Sequence, residues 1–173
     1  MSLSTETHKN SQECEYKSNL KMLRQIDLFA RLPIESLKVF AYLCERETFQ
    51  PGDVLFSQGE DNGQAYYIIE GSARLVDLEK DPDASLRTYE AGTFLGRLTL
   101  IGQTNRLYTL IARTQMHCLL LSREKFSQAL DPFPQLYPLI MQVVATKIAN
   151  WEKQNLRRGQ DGQTAMPVGV SML

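Results

Sequence analysis

The spacing of hydrophobic residues changes twice along the chain, and each change marks a different kind of predicted element. Apolar residues from Leu20 to Phe29 recur at helical spacing, and Pro33 then separates this segment from a second short helix. The apolar positions of that second helix are Leu37, Phe40, Ala41 and Leu43. Residues 1–18 are polar and lack this periodicity, so we expect an arm that is frayed or begins a helix held only by the residues after it.

Between Glu47 and Ser122 the chain alternates between short β-branched or aromatic runs and turn residues. Each run predicts a strand: Thr48–Phe49, Val54–Phe56, Tyr66–Ile69, Ala73–Leu78, Leu86–Tyr89, Leu107–Ala112 and Cys118–Leu121. Because such short strands succeed one another at fairly regular intervals, the pattern predicts a sandwich or barrel.

Helical spacing returns after Ser122, a good N-cap for a short helix that the segment 131–134 ends. A longer helix is predicted from Gln135 to about Arg158. Its apolar stripe contains Leu136, Leu139, Ile140, Val143, Val144, Ile148 and Trp151. The stripe predicts either pairing with a second copy or packing over the strands.

These patterns predict an α+β chain, mainly β, with helices before and after the strands. The predicted parts are a polar arm over residues 1–18, one domain over 19–158 and a flexible, glycine-containing tail over 159–173. A length of 173 residues with 43% apolar content suits a single core.

Charge and hydropathy argue against several classes of partner. Nineteen Lys and Arg residues oppose twenty Asp and Glu residues, so no global positive field favours nucleic acid or anionic lipid. No signal-peptide core and no run of eighteen apolar residues is present, so we expect neither export nor a membrane span. Cys14, Cys44 and Cys118 lack metal or redox spacing, which is typical of reduced cytoplasmic thiols.

Catalysis and DNA reading are not expected. The sequence offers no nucleophile with its base, no paired carboxylates and no metal cluster at sensible spacing. Residues 159–173 are too few to add a helix-turn-helix after the long helix.

The most informative stretch is GTFLGRLTL over residues 92–100, with Arg106 ten residues after Gly96. Glycine lets the backbone turn tightly and approach a ligand, and a short helical turn at Gly96 would aim N–H groups at an anion. Arg106 could clamp the same anion with two parallel hydrogen bonds, because a guanidinium is a rigid, permanently charged fork.

Three segments resemble the cyclic-nucleotide-binding domains of catabolite-activator-type regulators, protein-kinase regulatory subunits and gated cation channels. They are IDLFARLPIESLKVFAYL over 26–43, FQPGDVLFSQGEDNGQAYYIIEGSARL over 49–75, and the stretch that includes Gly96 and Arg106. The resemblance covers about residues 20–158 and implies a jelly-roll-like β-roll with N-terminal helices and a long C-terminal helix.

The resemblance also implies a phosphate-binding cassette, normally Phe-Gly-Glu-Leu-Ala, then Arg, a small pair and Thr or Ser. This chain keeps the pattern at Gly96, Leu98, Arg106 and Thr109. At the position of the family glutamate it has Arg97 instead. That glutamate accepts a hydrogen bond from the ribose 2′-hydroxyl, and arginine has no acceptor. Losing such a charged hydrogen bond costs about 1.5 to 3 kcal/mol.

The predicted ligand-binding residues are Phe94, Gly96, Arg97, Leu98, Thr99, Arg106, Leu107, Tyr108, Thr109 and Trp151. Leu107 and Tyr108 are bulkier than the family's small pair, and Tyr108 is expected to crowd the phosphate. Trp151 is expected either to cover the base as a lid or, more simply, to pack in a core or dimer interface. Arg97 and Arg106 would converge on one anion unless Arg97 turns to solvent.

The resemblance implies a non-catalytic sensor whose ligand is cyclic AMP, cyclic GMP or another phosphate-bearing molecule. Its output would pass through the C-terminal helix to an effector protein in trans, or to a second copy bound through the helix over 135–158. The alternative is a degenerate domain that binds no small molecule and acts as a protein-docking scaffold.

Overall fold

The computed structural model describes the backbone of residues 3–160, and the side chains of residues 13–153 other than 82 and 83. The helices are α1 Leu3–Leu23, α2 Ile34–Leu43, α3 Arg97–Ile101, α4 Arg123–Leu130 and α5 Tyr137–Gln160. The strands are β1 Glu45–Phe49, β2 Val54–Phe56, β3 Gln64–Glu70, β4 Ser72–Asp77, β5 Asp81–Glu90, β6 Phe94–Leu95, β7 Thr109–Ala112 and β8 Met116–Ser122. A 3₁₀ turn, Pro134–Leu136, precedes α5.

The strands form two four-stranded antiparallel sheets, ordered β1-β8-β3-β6 and β2-β7-β4-β5. Their facing sides enclose a set of buried side chains that we call the roll cluster. It contains Phe49, Leu55, Phe56, Tyr66, Ile68, Ala73, Leu75, Tyr89, Leu95, Leu110, Ala112, Met116, Cys118 and Leu120. This architecture confirms the predicted β-roll.

In the first sheet, β3 and β8 are buried on both faces, whereas the edge strand β1 is mostly exposed. Side chains alternate along β3 and β8, so Tyr66 and Ile68 enter the roll cluster while Ala65 and Tyr67 point to the helices. The helices cover that outer face in what we call the helical cluster. Its buried members are Leu23, Ile26, Leu28, Phe29, Leu32, Leu37, Phe40, Ala41, Ala65, Tyr67, Phe94, Leu100, Leu119, Leu121, Phe126, Ala129, Leu130, Leu136, Ile140 and Val144.

Phe29 connects the N-terminal segment to the rest of the helical cluster. Its ring centroid lies 5.1 Å from that of Phe40, 5.8 Å from Phe94 and 6.4 Å from Phe126. Phe94 is on β6, at the start of the predicted cassette. The aromatic contacts therefore fix the cassette against the segment between α1 and α2.

The first predicted helix differs from the structure in its bounds. The start of a helix, one of the two expectations for residues 1–18, agrees with α1, which runs through to Leu23. The helix then ends, although the apolar spacing continues to Phe29. Hydrogen bonds from Gln25 N to Met22 O and from Ile26 N to Leu23 O tighten the chain into turns. Ile26 and Phe29 are buried from these turns, so the spacing predicted their burial but not their conformation.

The later elements agree with the sequence more closely. The Ser122 hydroxyl accepts a hydrogen bond from Lys125 N at 3.2 Å and caps α4 as predicted. The predicted apolar stripe belongs to the helical cluster of the same chain, through Leu136 of the 3₁₀ turn and through Leu139, Ile140, Val143, Val144 and Ile148 of α5. Strand β6 was not predicted, and β7 begins at Thr109 rather than Leu107. The predicted tail overlaps α5 up to Gln160 and otherwise lies outside the described residues.

We expect Gly71→Ala to destabilise the protein much more than Gly52→Ala. Both glycines have positive φ, 86° and 95°, but a Cβ on Gly71 would lie 2.4 Å from the carbonyl oxygen of Gln115 whereas Gly52 has no atom within 4 Å. Left-handed strain alone costs about 1 kcal/mol, and overpacking raises the cost at Gly71 to about 3 kcal/mol or more. Urea unfolding of both variants measures the difference, and equal losses would contradict the expectation.

Candidate functional site

The predicted cassette begins with a sharp turn at Gly96. Its φ of 90° carries the chain from β6 directly into α3. A Cβ at this position would lie 2.9 Å from the Gln64 carbonyl oxygen and 3.1 Å from Ala65 Cα. The turn therefore packs against the backbone of β3, and only glycine fits there without strain. This confirms the predicted tight turn that leads into a short helix.

Arg106 lies on the return of the chain from α3 towards β7, and its side chain is 1% exposed. Its Nη2 donates to Asn62 Oδ1 at 3.0 Å and to the Gln64 carbonyl oxygen. The guanidinium carbon lies 4.1 Å from the centroid of the Phe56 ring. The backbone of Arg106 also pairs with the loop after β2, through Gly59 N and the Glu60 carbonyl, each at 2.8 Å.

Two polar atoms of the same guanidinium are unsatisfied. Arg106 Nε and Nη1 are buried and have no hydrogen-bond partner within the described part of the chain. Burial lowers the pKa of Arg106, while Tyr66 and Asp61 act in the opposite direction. An arginine nonetheless keeps its charge. Each unmade hydrogen bond of a buried donor costs about 1 to 3 kcal/mol, so an acceptor placed here would recover that loss.

Arg97 turns away from Arg106. Its Nη2 and Nε bind Asp27 Oδ1 at 2.9 and 3.1 Å, and its Nη1 donates to the Phe94 carbonyl at 3.0 Å. The side chain is 13% exposed, so it is neither in solvent nor aimed at the roll. The predicted convergence of Arg97 and Arg106 on one anion is therefore not formed, because Asp27 supplies the counter-charge to Arg97.

Asp27 also binds the C-terminal helix. Its second oxygen, Oδ2, lies 2.6 Å from Lys147 Nζ on α5. Burial works to raise the pKa of Asp27, but the hydrogen bond from Lys147 and the charge of Arg97 outweigh it and hold that pKa below its usual range. We call the contact Arg97–Asp27–Lys147 the Asp27 bridge. It joins the segment after α1, the start of α3 and the middle of α5.

The other predicted residues are divided between the two clusters. Phe94 is buried in the helical cluster and Leu98 packs against it. The Thr99 hydroxyl contacts that of Thr104 at 3.2 Å, and the Thr109 hydroxyl accepts from Gln58 N at 2.9 Å.

The remaining predicted residues differ in exposure. Leu107 is exposed, and Tyr108 packs against the roll cluster that contains Phe56. Trp151 is half-buried on α5. It lies one helical turn beyond Lys147.

Sequence reasoning missed the residues that hold Arg106. Asn62 and Gln64 lie at the end of a polar turn, where a solvated or turn-stabilising role is the simplest expectation. Phe56 resembles any core aromatic of a short strand. Only the fold brings these residues to Arg106, from more than forty positions away along the chain.

Comparison with known proteins identifies the family. The family model described as "Cyclic nucleotide-binding domain" matches residues 46–132, which contain Asn62, Gly96 and Arg106. Mouse (Mus musculus) cGMP-dependent protein kinase 2 is 26% identical over 147 residues. That match covers 83% of this chain but only 19% of the kinase, so the chain corresponds to about a fifth of that relative.

Solved structures agree with the fold. A cyclic nucleotide-binding-like protein from Brucella abortus has a TM-score of 0.61 and 28% identity, covering 66% of this chain and 98% of that one. The regulatory domain of Toxoplasma gondii PKA, crystallised with cAMP, has a TM-score of 0.66 and 20% identity, covering 82% of this chain and 52% of that one.

The match spans half of the chain and includes both sheets together with the glycine turn and the buried arginine. The matched family is a regulatory binding domain rather than a catalytic one. Among the described residues, no helix has the length and apolar character needed for a membrane span. The fold, the cassette turn and the family match lead to one conclusion: this chain belongs to the cyclic nucleotide-binding domain family.

Proposed function

We propose that this chain is a regulatory sensor that binds cyclic AMP, cyclic GMP or a related phosphate-bearing ligand and signals through α5. One observation carries the proposal: Nε and Nη1 of the buried Arg106 have no hydrogen-bond partner within the described residues. Nε and Nη1 lie on different edges of the guanidinium, so each can donate one hydrogen bond to an acceptor such as a phosphate oxygen. A phosphate bound at either edge would satisfy the donor that faces it and would balance the arginine charge.

Ligand access requires a local movement. Because Nε and Nη1 are buried in this structure, the connection that carries Arg106 has to move outward, or neighbouring side chains have to part, before a ligand reaches them. Leu107, which is 49% exposed, lies on this connection. Such a movement would pull on α3, since the same connection begins at that helix.

The Asp27 bridge supports the proposed signal to α5. Arg97 is the first residue of α3 and Lys147 is in α5, and both bind the same carboxylate. A ligand that shifts α3 would change the Arg97–Asp27 distance and thereby the restraint on α5. Binding can bias α5 only if the ligand prefers one arrangement of these elements.

The output would pass to an effector protein in trans or to a second copy through α5. Exposed apolar side chains are available on that helix, including Tyr137 at 42% and Met141 at 50% exposure. We expect ribose recognition to be weak, since Arg97 is held by Asp27 and offers no acceptor.

The alternative is a docking scaffold without a small-molecule ligand. One observation favours it: a groove of about 720 Å³ between α3, α4 and α5. The groove is lined by the apolar side chains of Leu100, Phe126, Ile140 and the exposed Met141. A scaffold need gain no stability from a phosphate ligand, so ligand titration separates the two functions.

We expect cyclic AMP or cyclic GMP to raise the unfolding temperature saturably. A ligand at one hundred times its Kd adds about 2.7 kcal/mol, roughly 5 to 10 °C for a chain of this size. Arg106→Gln should weaken binding at least about tenfold, since charged hydrogen bonds are lost. Thermal shift and calorimetry measure both effects, with cyclic dinucleotides, guanosine polyphosphates and organic acids included.

Arg87→Gln is the matched control, because Arg87 also lies over an aromatic ring, that of Tyr89 at 5.1 Å, but is exposed. It should leave ligand binding unchanged. No shift with any ligand would refute the sensor and favour the scaffold. Equal binding by Arg106→Gln and the unsubstituted protein would place the ligand elsewhere.

We expect the emission of Trp151 to change on ligand binding. The chain has one tryptophan, and it lies on α5 one helical turn beyond Lys147, so its fluorescence reports on the surroundings of that part of the helix. In Asp27→Asn the ligand should still bind, while the emission change shrinks because the restraint between α3 and α5 is lost. A full emission change in Asp27→Asn would contradict signalling through the bridge.

The Asp27 bridge should also make stability depend on pH. Because the folded pKa of Asp27 is depressed, its contribution is present above the unfolded value of about 3.9 and is lost as the pH falls through the folded pKa. Solvent screening of this half-exposed pair limits the contribution to about 1 kcal/mol. Asp27→Asn should therefore be less stable at pH 7 and converge with the unsubstituted protein below about pH 4.

Urea unfolding between pH 3 and 7 measures this difference. Glu79→Gln, which removes an exposed carboxyl group, is the control and should match the unsubstituted protein at pH 7. A stability difference for Asp27→Asn that stays constant down to pH 3 would rule out this ionisation as its source.

A further inference from the structure

A chain of hydrogen bonds leads from the β2 backbone to Arg106. The Tyr66 hydroxyl donates to the Leu55 carbonyl at 2.7 Å, and Asn62 Nδ2 donates to the Tyr66 oxygen at 2.9 Å. Asn62 Oδ1 then accepts from Arg106 Nη2 at 3.0 Å. Because the tyrosine proton is committed to Leu55, its oxygen must accept from the amide NH₂ group. This fixes the Asn62 amide with its carbonyl oxygen towards Arg106.

Every described contact of the Arg106 guanidinium is with a neutral group. Its partners are the Asn62 amide, the Gln64 carbonyl and the Phe56 ring, and it forms no ion pair within the described residues. The adjacent carboxylate, that of Asp61, instead binds Arg123 at 2.5 Å. The charge of Arg106 is therefore not neutralised by a direct partner in the roll.

We propose that Asn62 is a positioning and specificity residue: its neutral amide aims Arg106 at the ligand while leaving the arginine charge free for an anion. This inference rests on the proposed function at the same site. A carboxylate of the same shape would also accept from the guanidinium, but its second oxygen could not donate to Tyr66 as Asn62 Nδ2 does. It would also act as an internal anion that competes with the ligand phosphate.

The test is Asn62→Asp, which exchanges NH₂ for O and adds one negative charge. We expect the Kd for cyclic AMP to rise at least about tenfold. The unfolding temperature of the ligand-free protein should stay equal or rise, because the new ion pair with Arg106 offsets the lost hydrogen bond from Asn62 Nδ2 to Tyr66. The matched control is Asn105→Asp, which adds the same charge at an exposed position beside Arg106. At about 0.15 M salt this control should change the Kd less than about twofold.

The same substitution made in the Arg106→Gln variant distinguishes a positioning role of Asn62 from a merely structural one. In Arg106→Gln, the Asn62→Asp substitution should lower the unfolding temperature, because the half-buried carboxylate then has no cation and has lost the hydrogen bond to Tyr66. Whether Asn62→Asp raises or lowers the unfolding temperature thus depends on the presence of Arg106. An equal loss of stability in both backgrounds, or an unchanged Kd in Asn62→Asp, would overturn the assignment of Asn62.

The experiments distinguish a failure of the proposed sensor function from a failure of the role assigned to Asn62. If cyclic AMP and cyclic GMP do not stabilise the unsubstituted protein, the proposed function is refuted. The ligand-free comparison of the two backgrounds still decides the role of Asn62. A change of sign supports a neutral partner for an uncompensated arginine, and equal losses overturn it.

Discussion

The burial of Arg106 inside the roll is the constraint on which the arrangement of the site depends. A guanidinium carries its charge and five donors wherever it is placed, so the surrounding fold has to satisfy or tolerate them. The backbone around Glu60 holds the arginine main chain, and Asn62 and Gln64 accept from Nη2. Gly96 has no Cβ where one would lie 3.3 Å from Nη1. Segments far apart in sequence therefore converge on one side chain.

The two arginines of the cassette show how local charge decides what a guanidinium can do. Arg97 has a carboxylate partner in Asp27 and is therefore a structural link between layers. Arg106 has only neutral partners among the described residues and keeps two unmade hydrogen bonds. Since an uncompensated buried charge is costly, the roll gains most from an anion at Arg106 and little from one at Arg97.

Local patterns predicted the fold well, but long-range contacts determined the site. The periodicity of β3 and β8, the Ser122 cap and the Gly96 turn are all properties of neighbouring residues, so the sequence was sufficient to predict them. The direction of Arg97 depends on Asp27, seventy positions earlier, and no local rule links the two. The same limit applied to Asn62, whose partner Arg106 lies forty-four positions later.

The energy available at the Asp27 bridge limits how strongly it can couple α3 to α5. A half-exposed ion pair contributes about 1 kcal/mol at most, which changes a two-state ratio by roughly fivefold. A switch from mostly one arrangement to mostly the other needs about 5.5 kcal/mol of differential binding. In the proposed switch the additional coupling would have to come from packing, and Ile140 and Val144 of the same helix are buried in the helical cluster. In the proposed response, the bridge would therefore set the direction of the α5 movement, while the apolar face of α5 would set its size.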